Sequence, residues 1–190
     1  MGHLSRNVVA VVEPLKDAGC LLTGCEVLTG CEVGVWEGDT SKRILKHFPE
    51  LFLVMVDQWK VEDNQVRATT QEDMDAGYQK AVDSTEFAKD RRSIIHKTSV
   101  EAAKEIPDGF FDFVFIDADH RYEYIYDDVR AWWPKVRNGG ILMGHDYNGT
   151  LERRYGGRVW GVKKAVDEFA LEMGGLQVNK HPSLVWSIQK

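Results

Sequence analysis

Cysteine, proline and long apolar runs are scarce in this chain, and positive charge is nowhere concentrated. The three cysteines, Cys20, Cys25 and Cys31, form no CxxC pair and have no histidine cluster beside them. That argues against a zinc site or a disulfide framework and for reduced thiols. A membrane-spanning helix needs about 18 or more consecutive apolar residues; none occurs, so no membrane partner is expected. The opening Met1-Gly2-His3-Leu4-Ser5-Arg6 is neither a basic-then-apolar leader nor a myristoylation signal, which points to the cytoplasm. Asn148-Gly149-Thr150 is then a chance match to a glycosylation sequon. Lys and Arg number 24 against 30 Asp and Glu, for a net charge of −6. With basic residues in pairs at most, such as Arg91-Arg92 and Arg153-Arg154, no nucleic-acid partner is expected, since a phosphate backbone demands clustered cations.

What is present suffices for one domain. At 190 residues, with 43% hydrophobic and 28% charged residues, the chain can bury a continuous core without covalent or metal staples. The reading is a single domain over 1–190, with residues 1–20 as an N-terminal helical extension. In that extension Val8, Val11, Val12 and Leu15 recur at helical spacing over about 7–18 and Asp17-Ala18-Gly19 ends the run. Such a helix covers a sheet edge or pocket, or makes a homodimer contact.

Strands and helices then alternate. A tandem repeat, Leu22-Thr23-Gly24-Cys25-Glu26-Val27 and Leu28-Thr29-Gly30-Cys31-Glu32-Val33, offers two registers for the first strand, and only the second leads into glycines. A helix over about 39–47, capped by Asp39 or Thr40, follows. The uninterrupted apolar run 51–56, ending at Asp57, reads as a parallel strand covered on both faces. A helix over 71–90 with Met74, Tyr78, Val82 and Phe87 on one face, a strand over 93–97 and a helix over 100–105 come next. The fourth strand, Phe113-Val114-Phe115-Ile116, ends on Asp117-Ala118-Asp119-His120. After a helix over 122–134 and the turn Asn138-Gly139-Gly140, the fifth strand, Ile141-Leu142-Met143, ends on Gly144-His145-Asp146-Tyr147. A Gly-rich loop, a helix over 162–173 and two late strands over 176–179 and 184–188 complete the chain. The fold class is α/β: a Rossmann-like, doubly wound, mostly parallel seven-stranded sheet with a C-terminal antiparallel hairpin. Ligands of such sheets bind at the carboxyl ends of the strands.

Those strand ends carry the chemistry. Glu32-Val33-Gly34-Val35-Trp36-Glu37-Gly38 places glycines where backbone must turn and approach a ligand, and it opens into a helix N-terminus that favours negative charge. Its G-x-x-x-G spacing lacks the full G-x-G-x-x-G pyrophosphate fingerprint. Asp57, about twenty residues further on, is suited to accept hydrogen bonds from both ribose hydroxyls; the alternative is a cap for the next turn. Gln58 follows it, and Trp59 offers a surface for adenine or simply packs. Thr98 and Ser99, ending the third strand, are placed to reach the adenine edge.

The loop Glu32 to Gly38 resembles motif I of the class I S-adenosylmethionine-dependent methyltransferases, and Asp57 matches the acidic residue that follows it. The fourth- and fifth-strand ends resemble the branch of small-molecule O-methyltransferases that includes the macrocin and catechol enzymes. The likeness covers about residues 28–190. It implies S-adenosylmethionine at Glu32, Gly34, Trp36, Gly38, Asp57, Gln58, Thr98, Ser99 and Asp117. It also implies a divalent cation, usually magnesium, at Asp117 and the adjacent pair His145 and Asp146, with Asp119 as an alternative ligand. His145 stands where that branch commonly has Asp, and histidine shifts preference toward manganese, iron or zinc. His120 stands where catechol-type enzymes place a general-base lysine, and an imidazole titrating near about 6.5 suits an acidic hydroxyl. The expected catalytic pair is therefore His120 and Asp117. Alternatively, Asp117 and Asp146 position substrate or cofactor without metal.

Tyr147, Asn148, Tyr155 and Trp160 are candidates to wall the acceptor pocket, with Gly156-Gly157 as a hinge. The function implied is methyl transfer to an oxygen of a small molecule. The competing readings are a nicotinamide-dependent oxidoreductase and a catalytically inactive S-adenosylmethionine-binding protein.

Overall fold

The computed structural model describes residues 28–61, 70–148, 153–155 and 158–190. The helix expected over 7–18, the first repeat copy at 22–27 and Gly156-Gly157 lie outside them. The second repeat copy forms the first strand, β1 (Leu28–Val33). It is followed by α1 (Asp39–His47), β2 (Leu51–Asp57), α2 (Gln71–Ser84), β3 (Arg92–His96) and α3 (Ser99–Glu105). Next come β4 (Phe111–Ile116), α4 (Tyr122–Trp132), β5 (Val136–Gly144), β6 (Arg153–Tyr155) and β7 (Arg158–Trp160). The chain closes with α5 (Val162–Glu172), β8 (Asn179–Lys180) and β9 (Trp186–Gln189).

Seven of these strands form one sheet in the order β3-β2-β1-β4-β5-β9-β8. The first five are parallel; β9 runs antiparallel to β5 and β8 antiparallel to β9. This is the expected Rossmann-like sheet with its C-terminal antiparallel hairpin. The order reverses between β1 and β4, the switch point at whose carboxyl ends sheets of this kind form their ligand crevice.

The apolar runs explain the layering. Side chains along a strand alternate between faces, and both faces here are apolar. Val54, Val56, Val114, Ile116 and Leu142 meet Ala102, Ile125, Val129, Trp132, Val166 and Phe169 of α3, α4 and α5 on one side. Leu53, Met55, Phe113, Phe115 and Met143 meet Ile44, Leu45, Met74 and Ala81 of α1 and α2 on the other. Gly30 makes room in this second layer, because a Cβ there would lie 2.2 Å from the Phe113 ring.

Four local expectations are corrected. The helix expected to run to residue 90 stops at Ser84, where the buried Thr85 hydroxyl donates to Ala81 O at 2.7 Å, and a 3-10 turn, Glu86–Arg91, follows. Phe87 is consequently 52% exposed instead of on the buried face. The cap of α1 is Gly38 in the left-handed region, with no side-chain cap from Asp39 or Thr40. Asn138-Gly139-Gly140 is no turn before β5 but part of it, at a register irregularity between Phe111 and Phe113. The loop after β5 contains the hairpin β6–β7.

At the amino-terminal edge, Asp112, 3% exposed, ties three strands together. Its Oδ2 accepts from Thr29 N at 2.7 Å and Thr29 Oγ1 at 3.0 Å, and its Oδ1 accepts from Arg137 Nε at 2.7 Å. Removing one partner of a buried ionic network strands the other. Asp112→Ala is therefore expected to lower unfolding free energy by about 2–4 kcal/mol, read as a reduced urea midpoint at unchanged slope.

Candidate functional site at the strand ends

The crevice is built from five strand termini. Gly34 follows β1 with φ +92°, and a Cβ there would lie 2.3 Å from the Asp117 carbonyl oxygen and 2.6 Å from Ala118 Cα. Only glycine allows the β1 loop and the β4 loop to touch. Backbone bonds fix that contact: Gly34 N donates to Val56 O at 2.9 Å, and Asp117 N donates to Val33 O at 2.8 Å. Gly38 serves another purpose. Its Cβ would lie 2.8 Å from Ala81 Cα, so the second glycine brings α1 against α2.

Glu32 lies beneath the loop, 1% exposed, and Ser41 of α1 donates to its carboxylate. Burial pushes its pKa up to about 8, with the Ser41 bond opposing and the nearby Asp117 and Asp57 carboxylates adding to the rise. Trp36, at φ +53°, donates its backbone N–H to Asp57 Oδ2 at 2.8 Å while its ring lies 3.6 Å from where a Gly77 Cβ would be. Asp57 Oδ1 accepts from Trp59 N at 3.0 Å. Asp57 thus caps its own turn and holds the glycine loop, with carboxylate lone pairs left to accept further donors.

An open cleft of about 840 Å³ lies over the ends of β2 and β3, lined by Gln58, Lys60, His96, Lys97, Thr98 and Tyr124 among others. Trp59 is its buried floor rather than a free stacking surface: the residue is 0% exposed, its Nε1 donates to Trp36 O at 2.8 Å, and its ring meets Tyr78 and His96 edge-on. Thr98 caps α3 in a reciprocal capping box with Glu101, leaving it on the cleft rim. Ser99 turns the other way. It accepts from Trp132 Nε1 at 2.8 Å and bonds Asp128, whose pKa burial lifts to about 7. Ser99 is thereby a packing residue, removed from the cleft.

Beyond Asp117 the chain places four ligand atoms, from Asp117, His120, His145 and Asp146, within 4.8 Å of one another. His120 Nε2 is 2.9 Å from Asp146 Oδ2 and 3.3 Å from Asp117 Oδ1, while His145 Nδ1 is 3.3 Å from Asp146 Oδ2 and 3.7 Å from Asp117 Oδ1. The buried His120 Nε2 makes no aligned hydrogen bond in this array. Asp146 adopts φ +58°, a strained conformation for a non-glycine residue of the kind found at functional sites. His145 N donates to Ile116 O at 3.1 Å, fixing the pair to β4.

Electrostatics in the cluster is dominated by opposite charge at short range. Burial alone would depress the His120 pKa, but Asp117 and Asp146 overcome it and raise it to about 9. The same balance raises His145, and both imidazoles hold Asp146 well below the usual carboxylate range despite its burial. The two carboxylates thus favour the charged imidazolium form of His120 over the free base. Its ring stacks on Trp160 at 4.6 Å and 21°. Asp119 is diverted from the cluster: Arg121 donates to it from N, Nε and Nη2, at 2.9, 2.9 and 2.5 Å for the nearest contacts.

Of the expected pocket walls, Trp160 stands at the cluster, whereas Tyr147 is 7% exposed and donates its hydroxyl to Asp167. The Tyr155 side chain lies outside the described residues. Sequence reasoning brought Asp117, His120, His145 and Asp146 together, as the structure does, but missed Ser41 as the partner of Glu32 and Tyr124 at the cleft.

A family model for a methyltransferase domain matches residues 31–147. No curated protein matches the sequence. Among solved structures, the chain resembles a Staphylococcus aureus protein assigned as a caffeoyl-CoA O-methyltransferase, at 16% identity and TM-score 0.65, covering 100% of this chain and 86% of that one. It resembles a TDP-rhamnose 3'-O-methyltransferase of calicheamicin biosynthesis at 14% identity and TM-score 0.62, covering 100% and 80%. It also resembles spermidine synthase of Thermotoga maritima at 14% identity and TM-score 0.57, covering 94% and 57%. At these identities the likeness is one of fold.

Glu32 gives the site a pH signature. A carboxyl with its native pKa raised from 4.5 to about 8 keeps a proton that the unfolded chain has released, so stability falls as pH rises through that window. The slope from this group is at most about 1.4 kcal/mol per pH unit. Glu32→Gln, which cannot ionise, is expected to lose less stability than the parent between pH 6 and pH 8.5 in urea unfolding; equal losses would contradict the buried-proton assignment.

Proposed function

The chain belongs to the methyltransferase-domain family of class I S-adenosylmethionine-dependent enzymes, and from that premise we propose that it methylates a hydroxyl oxygen of a small molecule with the help of a divalent cation. The observation that carries this reading is the Asp117, His120, His145 and Asp146 cluster, set directly beside the glycine loop by the contact of Gly34 with the Asp117 backbone.

The residues divide by location. Asp57, already oriented by two backbone N–H groups, accepts the ribose hydroxyls. Gln58 and Thr98 border the adenine at the cleft over β2 and β3. Gly34 lets the β1 loop close against the Asp117 backbone, and the amino-acid end of the cofactor lies along that loop beside Asp117, with Glu32 bracing it from beneath and Trp36 fixing its conformation. Gly38 supports the site through helix packing rather than through contact.

S-adenosylmethionine, when bound, supplies an already activated methyl group, so alignment of the acceptor oxygen with the sulfur–methyl bond is the main task left to the protein. The cluster fits a divalent cation by its mixed nitrogen and oxygen donors, four of whose atoms lie within 4.8 Å of one another. Such an ion lowers the pKa of a hydroxyl beside it. Trp160, stacked on His120, shields this corner from water. The G-x-x-x-G loop, whose last glycine is used against Ala81, lacks the cradle a nicotinamide dinucleotide needs.

Two measurements test the reading. Calorimetry is expected to show binding of S-adenosylmethionine and S-adenosylhomocysteine, weakened at least about tenfold by Asp57→Ala through the lost ribose hydrogen bonds; binding of NAD in their place would overturn it. Chelation is expected to abolish methyl transfer and added divalent ion to restore it, with Asp146→Ala unresponsive to the ion. Full activity after thorough chelation would remove the cation from the mechanism while leaving methyl transfer in place.

A further inference from the structure

The donors at the strand ends also select the ion. We propose that Asp117, His120, His145 and Asp146 form a two-imidazole, two-carboxylate centre that takes a borderline first-row transition ion in preference to magnesium, with His120 a ligand rather than a base. The inference rests on the cation-assisted reading above.

Three observations carry it. The first is spacing. Metal–ligand bonds of about 2.1 Å place neighbouring ligand atoms about 3.0–3.4 Å apart in octahedral or tetrahedral sites. The four histidine–carboxylate separations here are 2.9, 3.3, 3.3 and 3.7 Å, so the side chains need only small adjustments to converge on one ion.

The second is the shortage of oxygen. Magnesium prefers a full set of hard oxygen donors, whereas imidazole suits zinc, iron, cobalt and nickel. The other carboxylate at the β4 end is spent: Asp119 is clamped by Arg121 at both oxygens. Glu32 is committed to Ser41 beneath the loop. Among the described residues the cluster thus offers two carboxylates and two imidazoles.

The third is that both imidazoles are fixed in place. His145 follows β5 with its backbone N–H bonded to Ile116 O at 3.1 Å. His120 is stacked on Trp160, and its carbonyl accepts from Gly161 N at 2.8 Å. Gly161 in turn fits only without a side chain, since its Cβ would lie 2.5 Å from Tyr122 Cβ. A ring held from two sides, with Nε2 2.9 Å from Asp146 Oδ2 and 3.3 Å from Asp117 Oδ1, is preorganised to share one ion with both carboxylates.

The test uses the chelator-stripped full chain without cofactor or acceptor, titrated with magnesium, manganese, cobalt and zinc by calorimetry, with the visible spectrum of cobalt as the report on nitrogen ligation. Cobalt and zinc are expected to bind at least about 100-fold more tightly than magnesium, because affinity at nitrogen-containing sites climbs along the first-row series. His120→Ala and His145→Ala are each expected to weaken cobalt binding about 10- to 100-fold and to change its visible bands. His145→Asp is expected to narrow the gap between cobalt and magnesium, and melting curves of the metal-free variants establish that they fold. Equal affinity for magnesium and cobalt, or folded histidine variants with unaltered cobalt binding and spectrum, would overturn the proposal. So would the absence of binding by any ion, and that result would also remove the cation from the proposed function. Cofactor affinity, measured separately, tells whether the methyl-transfer reading survives.

Discussion

Everything at the carboxyl edge of the sheet depends on one close approach, that of Gly34 to the backbone of Asp117. Two parallel strands separated by nothing but their own ladder end together, and the chains leaving them must diverge. Here they instead stay in contact for one residue, because Gly34 has no Cβ and adopts φ +92°. Any side chain at that point would have to occupy the space of the Asp117 carbonyl 2.3 Å away. The contact fuses the glycine loop that follows β1 with a polar cluster that belongs to β4 and β5, so that both lie in one crevice.

That arrangement costs stability locally. Glu32 is buried with its proton, Asp146 is held in a left-handed conformation, and two imidazoles share a small space with two carboxylates. Each strained backbone position or poorly solvated charge costs on the order of 1–3 kcal/mol. The offset comes from the sheet itself. Both of its faces are sealed by apolar side chains, and full burial of each large one stabilises by about 1.5–3 kcal/mol. A rigid, doubly covered sheet can therefore carry an unfavourable edge, and the edge stays where the sheet puts it.

The parts of this design that depend on neighbours in sequence were legible without coordinates. The apolar runs ending on Asp57, on Asp117 and on His145-Asp146 are local signals, and they gave the strands, their parallel order and the residues of the crevice. The parts that depend on what a side chain meets across space were not. Ser99 and Thr98 are adjacent polar residues at a helix start, yet one turns inward to Trp132 and Asp128 while the other stays on the cleft. Trp59 and Trp36 both follow strands as loop aromatics, and only the packing of Tyr78 and His96 decides that Trp59 is the floor. Gly38 looks like a second cofactor glycine until Ala81 of α2 is found against it. The hairpin β6–β7 was hidden because glycine-rich sequence around short polar strands has no apolar alternation to reveal it.

The fold by itself does not choose a reaction, since doubly wound sheets of this kind serve many chemistries. The choice is made by what stands at the ends of β4 and β5, and there the decisive residue is His120. Its sequence position suggests a base, but a base needs a free lone pair, and a nitrogen lone pair that binds a cation cannot also accept a proton. The geometry places Nε2 among the carboxylates, 2.9 and 3.3 Å from them, with the ring stacked on Trp160. On the proposed reading, a proton drawn to that nitrogen in the metal-free protein and a cation drawn to it in the loaded one are two occupants of the same electrostatic well, made by Asp117 and Asp146. Under that proposal, what the protein contributes to deprotonation is the well, and the imidazole is part of its wall.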